Sequence, residues 1–348
     1  IAVTESVVAR TQGNYATLEQ IAADVRAKIP AGADGKRTAA VVFPILSRNR
    51  FAICLRGIAM GAKKIVLMLS YPSDEVGNQI IEPMNYYLNS SNLSGECFSE
   101  DEYYKIFGEY KHPFTGVDYV QLYKSIDPER ISVHFSNNPL SALKFAKQVI
   151  VASIHARAIH RDILEKGGAE KVVTLDQICS SPVREGAGFN PDYGVLGSNY
   201  TNDDSVKLFP RGCEEFVREL QAEMKSRTGR DVEVLVYGDG AFKDPVCGIW
   251  ELADPVVSPG FTDGLVGLPK EIKFKYVADN AEGKDPAKAV EEAIRAKSRL
   301  DRFGHSTLGT TPRRLTDLIG SLCDLTSGSG DKGTPIVWIQ GYFDNYAK

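Results

Sequence analysis

The sequence predicts a mixed α/β fold, because strand-like and helix-like segments alternate along the chain. Apolar runs of strand length lie at residues 39–43 and 64–69. Between Pro210 and Gly229, apolar residues recur every three or four positions, as on one face of a helix that proline begins and glycine ends. The chain has 348 residues and can bury a substantial core, so these elements can pack into an ordinary globular protein.

Three further elements are predicted in the first two thirds of the chain. Residues 1–4 have the pattern of the middle of a strand, so we expect that a further segment precedes them. Residues 140–166 have a helical pattern that ends at a pair of glycines. Valines alternate over residues 232–236, as in a strand that leads into the Gly-Asp-Gly of residues 238–240.

Two helices and a closing strand are predicted near the carboxyl terminus. The first helix begins at Asp285-Pro286 and reaches about residue 303. The second begins at Thr311-Pro312, has a leucine stripe, and ends in the Ser-Gly-Ser-Gly of residues 327–330. Residues 336–339 then form the strand.

No linker and no internal repeat divides the sequence. We therefore expect a single domain over residues 1–348, as one compact unit with lobes. Residues from about 89 to 128 are rich in aromatic and acidic side chains, and they are predicted to form a peripheral insertion.

Composition and charge exclude several functions. The formal net charge is −4, which argues against general nucleic-acid binding, since that needs a basic face. No apolar run reaches membrane-spanning length. The six cysteines and five histidines are scattered, which argues against a zinc site, and no serine lies in a Gly-x-Ser-x-Gly segment. We expect a cytoplasmic protein with reduced thiols that binds neither nucleic acid nor membranes.

Asp239 is the sharpest candidate for a catalytic residue. It follows a predicted buried strand and lies between two glycines. Open α/β sheets bind ligands at such strand ends, and glycine lets the backbone approach a ligand closely. An equally good interpretation is a turn aspartate that accepts backbone N–H bonds. Lys243 follows shortly after and can supply a positive charge.

Two further polar clusters follow the predicted strands. In the Ser-Arg-Asn-Arg of residues 47–50, Arg48 and Arg50 can clamp phosphate or carboxylate; the alternative is a solvated basic turn. Asp74 and Glu75 can supply the oxygen ligands that Mg²⁺ prefers. The alternative for this second cluster is a helix that begins at Ser73, with acids favoured in its first turn.

A glycine-rich segment near the carboxyl terminus has the composition of a phosphate-binding loop. Its residues are Ser327, Gly328, Ser329, Gly330, Asp331, Lys332 and Gly333. A Walker loop runs from strand to helix and ends in Gly-Lys-Ser/Thr, whereas the predicted order here is helix, loop, strand. A Walker loop is therefore excluded. A nest of backbone N–H groups around a nucleotide phosphate and a plain helix-ending turn both stay open.

Together, four separated segments resemble the coenzyme F420 gamma-glutamyl ligase family, in the diverged bacterial branch associated with glutamylation of folates. Residues 4–13 are similar to the family's opening segment, a polar pair and then Val-Val-Ser-Lys-Ala-Glu-Gly, which contacts the guanine nucleotide. The resemblance implies that Glu5 and Ser6 are that pair and that Arg10 takes the place of the lysine. It also implies that the family's earliest nucleotide-binding segment precedes residue 1.

The second segment is Gly-Val-Leu-Gly-Ser-Asn at residues 194–199, which is similar to the family's Gly-Ile-Asp-Ala-Ser-Asn. The resemblance implies that Ser198 and Asn199 lie at the nucleotide. Leu196 stands where the family has a metal-binding aspartate. The candidates to replace that ligand are Asp74, Glu75 and Asp203.

The third and fourth segments are residues 239–243 and 327–333. The third is similar to the family's Asp-Thr-x-Gly-Arg, which implies that Asp239 binds metal and that Gly240 contributes its carbonyl in place of the threonine. The fourth aligns with the family's loop around the nucleotide phosphates. The resemblance therefore favours a nest of backbone N–H groups over a plain helix-ending turn.

The resemblance implies a compact, two-lobed gamma-glutamyl ligase-like fold with mixed sheets, and a homodimer. It also implies that GTP or ATP, with Mg²⁺ or Mn²⁺, phosphorylates a carboxylate of a folate-like or F420-like acceptor, and that L-glutamate then attacks the acyl phosphate. Asp239, Lys243, Arg48 and Arg50 would be the catalytic residues. Because Leu196 replaces a metal ligand, one alternative is a nucleotide-binding protein that has lost catalysis. A ligase for an unrelated acceptor acid is the other.

Overall fold

A computed structural model of the chain describes residues 1–32, 35–46, 50–75, 77–92, 97–112, 116–238, 241–243, 250–252, 259–266, 274–281, 283, 285–296, 315–327 and 335–341. The chain divides into two compact units. The first comprises Ile1–Val8, Gly212–Gly238 and Val256–Lys348, and the second comprises Ala9–Arg211 and Asp239–Pro255. Both contain helices and sheets, which confirms the predicted mixed α/β class.

The elements are numbered in chain order. The strands are β1 Ala2–Thr4, β2 Tyr15–Thr17, β3 Thr38–Val42, β4 Lys64–Leu69, β5 Phe98–Ser99, β6 Ile131–Phe135, β7 Gln148–Val151, β8 Lys171–Thr174, β9 Ser198–Asn202, β10 Ser205–Leu208, β11 Leu235–Tyr237, β12 Ala241–Lys243, β13 Trp250–Leu252, β14 Gly260–Phe261 and β15 Ile336–Val337. The helices are α1 Glu5–Thr11, α2 Leu18–Lys28, α3 Arg50–Gly61, α4 Pro83–Asn89, α5 Glu100–Phe107, α6 Tyr119–Ile126, α7 Arg157–Lys166, α8 Cys213–Thr228, α9 Phe274–Asp279, α10 Pro286–Ala296 and α11 Leu315–Ser327.

The first unit is built on a four-stranded sheet in the order β14-β11-β1-β15. Strands β1 and β11 are parallel, and β15 runs antiparallel to β1. Successive residues of each strand point to opposite faces of the sheet. Leu235 and Tyr237 therefore pack with residues of α11, whereas Val234 and Val236 pack with residues of α8. The two helices thus cover opposite faces of the sheet.

The second unit contains a six-stranded sheet in the order β5-β6-β4-β3-β7-β8. All neighbours are parallel except β5, which pairs antiparallel with β6. Its central strands are buried on both faces, which is why residues 39–43 and 64–69 read as continuous apolar runs. A three-stranded antiparallel sheet, β2-β10-β9, and the hairpin β12-β13 complete the described strands of this unit.

Several sequence predictions are confirmed. Strands β3 and β4 lie where the apolar runs predict them. Helix α8 ends at Gly229, which adopts a left-handed conformation, and α11 and β15 follow in the predicted order. Helix α10 begins at Pro286 as expected, and its predicted extension over residues 297–303 lies outside the described residues. None of the described helices is long and apolar enough to cross a membrane.

The prediction of one helix over residues 140–166 is wrong. The segment contains a 3₁₀ helix at Pro139–Lys144, strand β7 and then helix α7. Strand β7 pairs with β3 on one side and β8 on the other. The apolar residues of β7 fit a helical spacing as well as a strand spacing. The segment is extended because it lies between β3 and β8 and pairs with both.

The predicted insertion at about 89–128 includes β5, α5 and α6. Strand β5 forms an edge of the six-stranded sheet. The side chains of Tyr103, Tyr110, Tyr119 and Tyr123 are buried in the same apolar cluster as α3. The segment therefore contributes to the core, and its origin as an insertion stays a prediction.

Candidate functional site

The carboxyl ends of β1 and β11 bring the first predicted site residues together. Thr4 pairs with Tyr237, so the residues that follow them, Glu5 and Gly238, come side by side. A Cβ at Gly238 would lie 2.1 Å from Cγ of Glu5. Only glycine fits here, because the backbone that leads into Asp239 lies against the Glu5 side chain. Asp239 and Gly240 themselves lie outside the described residues.

Glu5 is a buried carboxylate in this position. It is 3% exposed, and Ser6 beside it is 2% exposed. Glu5 begins α1, where an acidic side chain is favoured by the helix dipole. Burial raises the pKa of the Cys213 thiol to about 12, and the negative charge of Glu5 contributes to that shift. The carboxylate therefore lies near the first residue of α8 as well as Gly238.

Pro335, which follows the glycine-rich segment in the sequence, lies at the same end of β1. Helix α11 ends at Ser327, and residues 328–334 lie outside the described residues. The carbonyl oxygen of Pro335, at the exit of the loop, accepts a 2.9 Å hydrogen bond from the N–H of Thr4. Pro335 therefore lies beside Thr4, the residue before Glu5, although the sequence separates them by most of the chain.

The residues at 196–199 lie in the second unit. Leu196 is fully buried and packs in its main apolar cluster. Ser198 begins β9, is fully buried, and donates a 2.6 Å hydrogen bond to the carbonyl of Val195. Asn199 is partly buried and pairs with Lys207. The position at which the family has a metal-binding aspartate is thus a core position in this chain.

The Asp74 carboxylate accepts hydrogen bonds from a residue of its own loop. Its two carboxylate oxygens accept 2.9 Å hydrogen bonds from the backbone and side-chain amides of Asn78. A longer bond of 3.4 Å comes from the N–H of Leu46. No helix begins at Ser73, which is bridged to Gln79 across a turn, so the alternative of a helix start is wrong. These contacts favour a structural role, and metal binding by Asp74 stays a prediction.

The Glu75 side chain links the segments that follow β4 and β7 at the carboxyl edge of the six-stranded sheet. It follows β4, and its carboxylate accepts a 2.7 Å hydrogen bond from the N–H of Ile154 and a second from the N–H of Ala156. Those amides lie between β7 and α7, and Ala156 has no side-chain cap for that helix. Glu75 thus supplies a cap from a distant part of the chain, which again favours structure without testing the metal prediction.

The other predicted residues are only partly described. Arg10 is exposed on the last turn of α1. Lys243 pairs through its backbone with Trp250 in the hairpin, and Arg50 begins α3 at the carboxyl edge of the six-stranded sheet. Arg48 lies outside the described residues. Asp203 is exposed in the turn between β9 and β10, where its carboxylate accepts a bond from the Tyr200 hydroxyl.

The predicted residues therefore do not form a single cluster, and Ser198, Asn199 and Lys243 lie on the three-stranded sheet and the hairpin. Two sets of the others lie at strand ends. Glu5, Ser6, Gly238 and Pro335 lie together at the carboxyl ends of β1 and β11. Asp74 and Glu75 follow β4, and Arg50 begins the helix that follows β3, at the carboxyl edge of the six-stranded sheet. The sequence predicted each cluster at a strand end but could not assign the clusters to sheets.

The donor set at β1 and β11 fits a hard divalent cation. The Glu5 carboxylate and the buried hydroxyls of Thr4 and Ser6 are oxygen donors, and Asp239 follows Gly238 in the sequence. Among the described residues no group of three or more His, Cys, Asp and Glu side chains is placed to hold a metal ion. Asp239 lies outside the described residues, so its role as a metal ligand stays a prediction.

Comparison with known proteins identifies the family. No curated protein sequence and no solved structure matches the chain significantly. The family model described as F420-0:Gamma-glutamyl ligase matches residues 1–341, which is nearly the whole chain. Its members are acid–amino-acid ligases of cofactor biosynthesis, and the resemblance stated from the motifs is confirmed. The chain belongs to the F420-0:gamma-glutamyl ligase family.

Proposed function

We propose that this protein is a nucleotide-dependent ligase that adds L-glutamate to a carboxylate of a cofactor-like acceptor. The observation that carries the proposal is the meeting of three family segments at the ends of β1 and β11. These are the Glu5-Ser6 pair, the Gly238 that precedes Asp239, and the exit of the glycine-rich loop at Pro335. In the sequence they are far apart, and a shared ligand is a physical reason for them to converge.

The proposed reaction has two steps. The terminal phosphoryl group of GTP or ATP moves to an oxygen of the acceptor carboxylate, which gives an acyl phosphate and a nucleoside diphosphate. The amine of L-glutamate then attacks the acyl carbon. An amide bond forms, inorganic phosphate leaves, and the amine loses a proton.

The roles of the chain's own residues follow from their positions. Backbone N–H groups of residues 327–333, with Lys332, would bind the phosphates. Asp239 and Glu5 would hold Mg²⁺ or Mn²⁺, assisted by the carbonyl of Gly240, and the cation would supply neutralisation of phosphate charge. Lys243 would stabilise the charge that develops during transfer. It remains a prediction that Arg48 and Arg50 also stabilise this charge. It likewise remains a prediction that the nucleotide is contacted by Ser198, Asn199 and Arg10.

The family match indicates which acceptor to test first. The family's name gives F420-0, so this is the first acceptor to test. A folate-like acceptor has no support from the family match, and it is the second acceptor to be tested. We expect a homodimer, as the resemblance implies, and sedimentation velocity measures its oligomeric state. The cytoplasmic location is expected from the scattered cysteines.

The test is a ligation assay with the purified chain. The chain is incubated with L-glutamate, Mg²⁺ or Mn²⁺, GTP or ATP, and either F420-0 or a reduced folate, and products are identified by mass spectrometry. We expect one added glutamyl unit per acceptor. Asp239→Asn should lower turnover by about 100-fold or more, because it removes a charge that holds the cation. Asp231→Asn is the matched control, since its side chain is 85% exposed.

Full turnover by Asp239→Asn with unchanged metal dependence would falsify the central assignment. The second candidate function is a nucleotide-binding protein without catalysis, which is favoured by the burial of Leu196 at the position of a family metal ligand. Binding of GTP without phosphate release, in the presence of glutamate and both acceptors, would identify it.

A further inference from the structure

The inward face of helix α4 is mainly polar. Asn85 and Tyr86 hold the helix to the end of α5. The side-chain amide of Asn85 donates a 3.0 Å hydrogen bond to the carbonyl of Phe107, and the Tyr86 ring stacks on the Phe107 ring. Asn89, one turn after Asn85, donates two hydrogen bonds to it and is also partly buried. Two asparagines and a tyrosine therefore form the side of α4 that faces its own chain.

The outward face of α4 is apolar. Met84, Tyr87 and Leu88 are spaced as on one face of a helix, and their exposed fractions are 60%, 79% and 64%. Tyr87 is the most exposed large apolar side chain in the described part of the chain. A surface helix ordinarily has the opposite arrangement, with its apolar stripe toward the core. Because contiguous exposed apolar side chains mark interaction surfaces, this reversal indicates a docking surface.

The charges near α4 indicate an uncharged partner. Residues 83–92 contain no charged side chain. Glu82, just before the helix, accepts hydrogen bonds of 3.0 and 2.7 Å from backbone N–H groups of α4 with its two carboxylate oxygens. Glu100, which begins α5, forms an ion pair of 2.7 Å with Lys124. Both acids are thus engaged within their own chain. A surface rich in Tyr and Met and depleted of charge is typical of the core of a protein interface.

A second copy of the chain meets these conditions. An uncharged face can pack against itself about a twofold axis without repulsion between like charges, and twofold dimers are the commonest oligomers of soluble proteins. A membrane surface fits less well. Interfacial helices have Lys and Arg on the polar side of their apolar face, whereas the nearest charged residues in the sequence on the two sides of α4 are Glu82 and Glu96.

We propose that the outward face of α4 is a dimer interface, in which Met84, Tyr87 and Leu88 pack against the same three residues of a second copy of this chain. Tyr87 lies between the other two along the helix, so a twofold axis through this face brings the two copies of residue 87 together. The proposal gives a surface to the homodimer expected above. It does not depend on the ligase reaction.

Sedimentation velocity of the full chain, without substrates, tests the interface. We expect the wild type to form a dimer at micromolar concentrations. Tyr87→Glu places two like charges together at the axis and should weaken the dimer by about 100-fold or more. Ile159→Glu is the matched control, because Ile159 is 63% exposed on α7 and lies outside the proposed interface. Circular dichroism confirms that each variant is folded.

A mixture of two variants tests whether the partner is a second copy. Tyr87→Lys should prevent dimer formation by itself, as Tyr87→Glu does. In an equimolar mixture of the two variants, opposite charges meet at the axis, so the dimer should reappear. A partner of any other kind cannot produce this recovery.

Three results would overturn the proposal. The first is a wild-type chain that stays monomeric at micromolar concentrations, including one that binds vesicles of neutral lipid through Tyr87. The second is a dimer that Tyr87→Glu leaves as stable as Ile159→Glu does. The third is an equimolar mixture of the Glu and Lys variants that stays monomeric. Ligase turnover is measured separately, so a failure here leaves the ligase proposal standing, and the reverse also holds.

Discussion

The side chain of Glu5 lies directly against Gly238, where a Cβ would approach its Cγ to 2.1 Å. Neither residue can move freely, because one begins α1 after β1 and the other follows β11 in the same sheet. Gly238→Ala should therefore destabilise the protein by about 1–3 kcal/mol through overpacking. Urea denaturation measures the change in the free energy of unfolding.

A double-mutant cycle separates this clash from other effects of the alanine. If Glu5 is the group that the new methyl meets, Gly238→Ala should cost much less in the Glu5→Ala background than in the wild type. Equal costs in the two backgrounds would show that Gly238 is required for another reason.

Leu196 allows a direct test of the missing metal ligand. Leu196→Asp restores the aspartate of the family motif, but the position is fully buried among apolar side chains. An unpaired carboxylate there should destabilise the protein by about 3–5 kcal/mol. Urea denaturation measures the change in stability, and Mn²⁺ titration measures the number of metal ions bound. Leu196→Asn is the uncharged control. A folded Leu196→Asp variant of native stability that binds one further Mn²⁺ would contradict the expectation.

Glu75→Gln distinguishes a structural carboxylate from a metal ligand. The substitution keeps the size of the side chain but removes the charge from two hydrogen bonds to backbone N–H groups. We expect a loss of about 1–2 kcal/mol in the free energy of unfolding, since charge-assisted bonds are about twice as strong as neutral ones. Asp162→Asn, at an exposed ion pair on α7, should change it by less than about 1 kcal/mol.

The same Glu75→Gln variant has a second readout. A lower stability with the wild-type Mg²⁺ requirement in the ligation assay assigns Glu75 to the fold. A raised Mg²⁺ requirement in a variant of near-native stability supports the predicted metal role instead.

One buried and two half-buried histidines predict a loss of stability in acid. Burial lowers the pKa of His112, His134 and His160 in the folded chain. In the unfolded chain they titrate near about 6.5, so below that pH the unfolded state binds more protons than the folded state. The free energy of unfolding should therefore fall as the pH drops through about 6.5, until the lowered folded-state pKa values are reached.

Urea denaturation at about pH 7.5 and about pH 5.5 measures this loss. His134→Gln should reduce the difference between the two pH values, because it removes one of the three groups. The His134 ring packs on Phe145 with 4.2 Å between centroids, so the variant can also lower stability at both pH values. An unchanged pH difference would show that His134 does not contribute.

The predictable part of the fold is the part with a strong local pattern. Strands β3 and β4 are buried on both faces and therefore appear as unbroken apolar runs. Helix α8 ends at the predicted glycine, although it begins at Cys213 and not at Pro210. Strand β7 was missed because four residues are too few to separate a strand period from a helical one. Its identity depends on β3 and β8, which come from distant parts of the chain.

The candidate site also has a part that local motifs predict and a part that depends on the tertiary structure. Family motifs in the sequence determined the ligase family and nominated Glu5, Ser6 and Asp239, because those motifs are local strings of residues. Only the tertiary structure decided that Leu196 is a core residue, that Asp74 and Glu75 bind backbone amides, and that Glu5 meets Gly238 across two parallel strands. The physical reason is that burial and hydrogen-bond partners depend on segments that pack together from far apart in the chain, whereas periodicity and motif are properties of neighbours.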